Sequence, residues 1–162
     1  MATGTVSQFQ SQIVQAEQFD PTSRIVNATA STLTVTKVSH DQKIVTLNRA
    51  AGVAVTLPAA TGSGNWFRFY VGTTNSGGST TIKVTGDDTM SGLAVSAADG
   101  GNTVNGWETA ADSDTITFDG TTTGGVLGDF VELIDVAADK WSVRIMSSST
   151  GTEATPFSAT VS

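Results

Sequence analysis

The stretch 43-KIVTLNRAAGVAVTLPAATGSGNWFRFYVGTTNSGGSTTIKV-84 decides the fold class. It holds four alternating segments, Lys43–Leu47, Val53–Leu57, Trp66–Val71 and Thr80–Val84, joined by turns rich in Gly, Pro and Ser. Side chains of a strand alternate between its two faces, so each segment can turn one face to a core and leave the other in water. Pro58 ends the second segment, because proline has no N–H to give to a ladder. The segments and loops recur at roughly 8–12 residues, the spacing of a β-sandwich or barrel.

Outward from this stretch the pattern continues. Leu33–Val38 reads as a strand followed by the polar turn Ser39–Gln42. Beyond Gly86 the signals are less regular, with short strands expected at Leu93–Val95 and Val104–Trp107 and a strong turn at 99–102. Thr115–Phe118 and Asp129–Val136 read as strands, and Thr121–Gly125 as a flexible loop. Ala137–Lys140 reads as a hairpin turn, after which Trp141, Val143 and Ile145 face inward. No internal repeat of fixed period is visible. Thr, Val, Ser and Gly dominate, and the helix formers are thin. The expectation is an all-β, β-sandwich or jelly-roll-like domain over 32–147, with an N-terminal arm over 1–31 and a C-terminal tail over 148–162.

In the arm, Phe9, Ile13 and Ala16 fall at helical spacing, and Asp20-Pro21 stops any helix, since the residue before proline avoids the α region. A short helix of this kind is marginal alone and needs a docking surface. Residues 1–31 therefore read as an arm that orders against a partner, the alternative being a disordered tail. Phe9, Ile13, Val14 and Phe19 are its candidate anchors.

Charge and composition narrow the function. The chain of 162 residues carries a formal net charge of −7. The whole of that excess arises in 101–162, which is expected to form a solvated acidic surface. Such a surface repels phosphate backbones, so no nucleic-acid partner is expected. No apolar run reaches the ~20 residues of a membrane span, and no membrane partner is expected. Without cysteine there is no disulfide, thiolate metal site or thiol nucleophile. The N-terminus lacks the basic and apolar regions of a secretory signal, so folding in a cytoplasm is expected and the Asn27-Ala28-Thr29 glycosylation sequon is discounted.

The candidate chemistry is sparse. Ser39-His40-Asp41 has the residue types of a triad, but adjacent residues point apart, and His40 reads as a surface histidine. Asp87-Asp88, Asp112-Ser113-Asp114 and Asp119-Gly120 resemble fragments of calcium loops without the full ligand spacing, and turn formation explains them. Glu108 and Glu132 are the obvious pair for acid–base hydrolysis, yet both fall on solvent faces. The glycine-rich loops lack the lysine and helix of a phosphate loop. No cofactor or metal is expected, and no enzyme activity. The aromatic run remains: Trp66 and Tyr70 share a face with Arg68, while Phe67, Phe69 and Val71 share the other. One set belongs to the core, and with both faces apolar the other is expected at a subunit interface, or else stacking on sugars.

The run Ile44–Gly64, with Phe67-Arg68-Phe69, Ile82-Lys83-Val84 and Asp88–Gly92, resembles a segment of tailed-bacteriophage virion proteins, in particular capsid decoration (cement) proteins. Head-fibre and tail-fibre modules share the same flavour. The resemblance spans Leu33–Gly92, about a third of the chain. It implies a sandwich protomer, made in the host bacterial cytoplasm and assembled as a homotrimer on the outer capsid surface. It also implies the major capsid protein as partner, clasped by an arm. No individual binding residue carries over. The alternative it leaves is a fibre module that binds host surface glycans.

Overall fold

The computed structural model describes residues 24–99 and 103–160. Twelve strands and one helical turn are present among them. These are β1 (Ile25–Ala28), β2 (Thr32–Thr34), α1 (Lys37–His40), β3 (Ile44–Leu47), β4 (Ala54–Thr56), β5 (Trp66–Val71) and β6 (Thr80–Lys83). There follow β7 (Thr89–Ala97), β8 (Val104–Glu108), β9 (Thr115–Phe118), β10 (Phe130–Ala137), β11 (Lys140–Ser148) and β12 (Phe157–Ser158). They form a seven-stranded sheet, β1-β3-β5-β10-β11-β7-β8, and a five-stranded sheet, β12-β9-β6-β4-β2. The fold is the all-β sandwich that the alternating segments demand.

The chain crosses between the sheets at almost every step in its first half. β1, β3 and β5 enter the larger sheet in parallel, and β2, β4 and β6 enter the smaller one in parallel. This half winds as a two-sheeted coil rather than as hairpins. Its turns are unequal, from Ile25 to Ile44 to Arg68 on one sheet and from Thr32 to Ala54 to Thr81 on the other. That inequality is why no fixed period shows in the sequence. The second half supplies the antiparallel pairings, β8 with β7, β9 with β6, β12 with β9, and β10 with both β5 and β11, while β11 joins β7 in parallel. Both sheets are therefore mixed, whereas a jelly roll is built from antiparallel strands.

The inner faces meet in one core. Val45, Leu47, Phe67, Phe69, Leu133, Trp141 and Val143 come from the larger sheet, and Val55, Ile82, Ile116 and Phe118 from the smaller. Phe67 and Trp141 contact each other with ring centroids 5.7 Å apart. Burial of these side chains supplies the main driving force, each contributing about 1.5–3 kcal/mol relative to exposure.

The domain limits are wider than expected. Ile25–Ala28 fall in the expected arm but pair with β3, so the folded domain already includes them. Phe157 and Ser158 fall in the expected tail but pair with β9, and Phe157 is buried. Residues 1–23, with Phe9, Ile13, Val14 and Phe19, lie outside the described residues. The strand expected over Leu33–Val38 stops at Thr34, because the Thr36 side chain accepts from the Ser39 amide and caps α1. Val38 is consequently 95 % exposed.

Candidate binding surface

Carboxylates are the groups here that could carry acid–base or metal chemistry. Asp88, Asp114, Asp129 and Asp135 are buried, so the expected solvated acidic surface is only part of the account. Each serves a loop whose backbone amides have no ladder partner. Asp135 accepts from the amides of Thr61 (2.9 Å) and Gly62 (2.6 Å), from Ser63 Oγ (2.6 Å) and from Lys37 Nζ (3.3 Å). Burial pushes its carboxyl up, but the Ser63 hydroxyl and the loop amides outweigh that and hold it far below the ordinary range. Asp129 accepts from the amides of Gly125, Val126 and Ser148, yet burial prevails and its pKa is raised. Asp88 accepts from the Ala60 amide (2.7 Å) and from Trp141 Nε1 (3.3 Å).

Asp119 ties the Thr121–Gly125 loop that the sequence reads as flexible. It accepts from the Thr121 and Thr123 amides and from Thr122 Oγ1. Burial pushes this carboxyl up, and those hydrogen bonds more than reverse it, to about 2.

The sequence-level chemical candidates do not converge. His40 is buried rather than on the surface, and burial lowers its pKa. Its Nδ1 lies 3.1 Å from the Thr36 amide, while neighbouring Asp41 accepts from the Trp66 amide. Glu132 and Glu108 lie in one row of the larger sheet but three strands apart, roughly 14 Å at the ordinary strand spacing. Paired glycosidase carboxylates stand about 5–9.5 Å apart. Asp87, Asp88, Asp112 and Asp114 line a small depression of 140 Å³. Among the described residues, no group of three or more His, Asp or Glu is arranged to hold a metal ion.

The outer face of the larger sheet is different in kind. Strand register places its outward side chains in rows. One row is Ile25, Ile44, Arg68, Glu132, Arg144, Leu93, Glu108. The next is Asn27, Thr46, Tyr70, Phe130, Met146, Val95, Gly106. Trp66 and Ile134 begin a third. Arg68 makes two contacts on this face: its Nε donates to Glu132 Oε2 at 2.8 Å, and its guanidinium carbon lies 4.3 Å from the Trp66 ring centre.

This face divides the aromatic run as the alternation requires. Phe67 and Phe69 are fully buried in the core. Trp66 is half-buried on the outer face, and Tyr70 is 38 % exposed there. Trp107 packs against the core from the opposite face of its strand.

The most telling feature of the face was hidden from sequence reasoning. In β7 the inward positions are Met90, Gly92, Ala94 and Ser96, and the outward ones include Leu93 and Val95. Beyond Met90, the larger apolar side chains thus point away from the core and the small ones toward it. At Gly92 the backbone, with φ +158, turns a built Cβ toward β11 to lie 1.9 Å from the Val143 carbonyl oxygen, so only glycine fits there. Together with Met146 and Val104, these residues leave an uncovered apolar area, the usual mark of an interaction surface. The signal available in the sequence was the small-residue run Gly92, Ala94, Ser96, which cannot fill a core by itself.

No family model, no curated protein and no solved structure matches this chain.

Proposed function

We propose that the chain is a non-enzymatic structural protein that decorates and stabilises the outer surface of a bacteriophage capsid, in contact with the major capsid protein. The observation that most supports this reading is the distribution of its surface. The buried carboxylates are committed to the protein's own loops, and the larger sheet offers an apolar face instead. A cement protein needs a rigid body, repeated weak contacts and no chemistry, and repetition strengthens each contact through effective concentration. The resemblance of Leu33–Gly92 to virion proteins points the same way and implies a homotrimer. Copy number in purified particles tests the reading, with several hundred copies spread over the head as the expected result. Removal of residues 1–23 is expected to abolish particle binding while leaving the sandwich folded. Absence from the particle overturns the proposal.

A second reading, a head-fibre or tail-fibre module that binds host glycans, is favoured by Trp66 and Tyr70 on one outer face beside Arg68. It predicts a few copies at one site on the particle and glycan binding that Tyr70→Ala removes.

A further inference from the structure

The outer face of β11, β7 and β8 is self-complementary, and we propose that two copies of this chain pair through it about a two-fold axis. The occupant follows from the charges. In the row Arg144, Leu93, Glu108, a cation and an anion stand one strand to either side of β7. Both are exposed, and neither has an ion-pair partner among the described residues. A two-fold axis running along β7, in the plane between two stacked sheets, carries β11 of one copy over β8 of the other. Arg144 of each copy then faces Glu108 of its mate, and the contact forms twice.

The neighbouring row obeys the same operation. Met146 and Gly106 flank Val95 as Arg144 and Glu108 flank Leu93. Met146 is 70 % exposed, and the space above Gly106 is open, with only the Ala94 carbonyl oxygen within 4 Å of a built Cβ, at 3.8 Å. The Met146 side chain of one copy thus meets the gap left by Gly106 of the other. Leu93 and Val95 meet their own counterparts on the axis. Two sheets stacked in this way lie about 10 Å apart, the ordinary separation in a sandwich. The inverted pattern of β7 acquires a reason: its larger side chains complete a second core that exists only in the pair. A two-fold arrangement takes the place of the three-fold one implied by the resemblance, because the row returns its own complement on rotation by a half-turn. This inference does not depend on the decoration reading.

Charge reversal tests it in the full-length protein. Sedimentation equilibrium is expected to give a dimer for the natural sequence. Arg144→Glu and Glu108→Arg are each expected to weaken it at least about tenfold, since like charges then face each other. The double variant Arg144→Glu/Glu108→Arg is expected to recover it to within about threefold of the starting value. All four proteins should keep the same thermal midpoint within a few degrees when compared as monomers at low concentration, because both sites are on the surface. A natural protein that stays monomeric or forms a trimer overturns the proposal, as does a dimer that either single reversal leaves intact or that the double reversal fails to restore.

Discussion

The amide nitrogen of Gly62 lies 2.6 Å from Asp135 Oδ1, joining the loop before β5 to the end of β10. The joint sits where β10 loses register with β11, between Asp135 and Ala137. A single buried carboxylate thus takes the Thr61 and Gly62 amides, beside the backbone hydrogen bonds that join Ala60, Gly64 and Asn65 to the end of β10 and its turn. Replacing it with an amide of the same shape turns an acceptor into a donor facing other donors. Asp135→Asn is therefore expected to cost about 2–4 kcal/mol, read from urea midpoints at pH 7. A loss below half a kcal/mol would show that the loop holds itself.

Acid should unfold the protein through these same groups. Asp119 has its pKa lowered from 3.8 to about 2, and Asp135 is also lowered. A depressed carboxyl contributes stability that is complete above the unfolded value and is lost as pH falls through the folded one. Asp129 is raised, so its contribution has the opposite sign: its cost at neutral pH is relieved as pH falls through its folded value. Two depressed groups oppose one raised group, and stability is expected to decline from pH 4 toward pH 2. Asp119→Asn should make that decline shallower. Urea midpoints measured from pH 2 to 6 decide the point, and an unchanged slope removes Asp119 from the account.

Trp141 spans the two kinds of interaction that hold the sandwich. Its ring is fully buried against Phe67, and its Nε1 donates to Asp88. Trp141→Phe keeps much of the ring but leaves a cavity and removes a donor from a buried carboxylate. The expected loss is about 2–4 kcal/mol. Combining it with Asp88→Asn in a double-mutant cycle should show coupling above half a kcal/mol, and additive losses would mean that the long 3.3 Å contact contributes nothing.

Two glycines of positive φ differ in what a side chain would meet. A Cβ on Gly92 would lie 1.9 Å from the Val143 carbonyl oxygen, so Gly92→Ala must push β7 away from β11. Loss of more than about 3 kcal/mol, or failure to fold, is expected. Gly64 has φ +74 but open space around it, so Gly64→Ala meets only the left-handed penalty of about 1–2 kcal/mol. Thermal unfolding of both variants should rank them in that order.

Arg68 is expected to matter less than its contacts suggest. Its side chain remains 40 % exposed, where ion pairs and cation–π contacts are worth little. Arg68→Ala should cost about 0.5–1 kcal/mol in dilute buffer and less at 1 M salt, measured by urea denaturation at both ionic strengths.

Much of the framework was legible in the chain. Strict alternation placed β3, β4, β5, β6 and β11 within a residue or two, and it separated Phe67 and Phe69 from Trp66 and Tyr70. These readings rest on the two-residue period of a strand, a local property that needs no partner. Short edge strands carried too little pattern: β1 and β12 lay in segments that read as arm and tail. Strand direction was equally silent, because a parallel or antiparallel neighbour makes the same alternation, and turns of unequal length hide the coil.

What the sequence determined by itself was the β character, the position of most strands, and the side of β5 that enters the core, because pleating and burial act on neighbouring residues. Only the tertiary structure decided which carboxylates are buried and which face of β7 is outward. A buried aspartate is identified by the distant amides that reach it, and the need for glycine at position 92 by the Val143 carbonyl oxygen of the neighbouring strand. Those are distances between residues remote in the chain, and no local pattern encodes them.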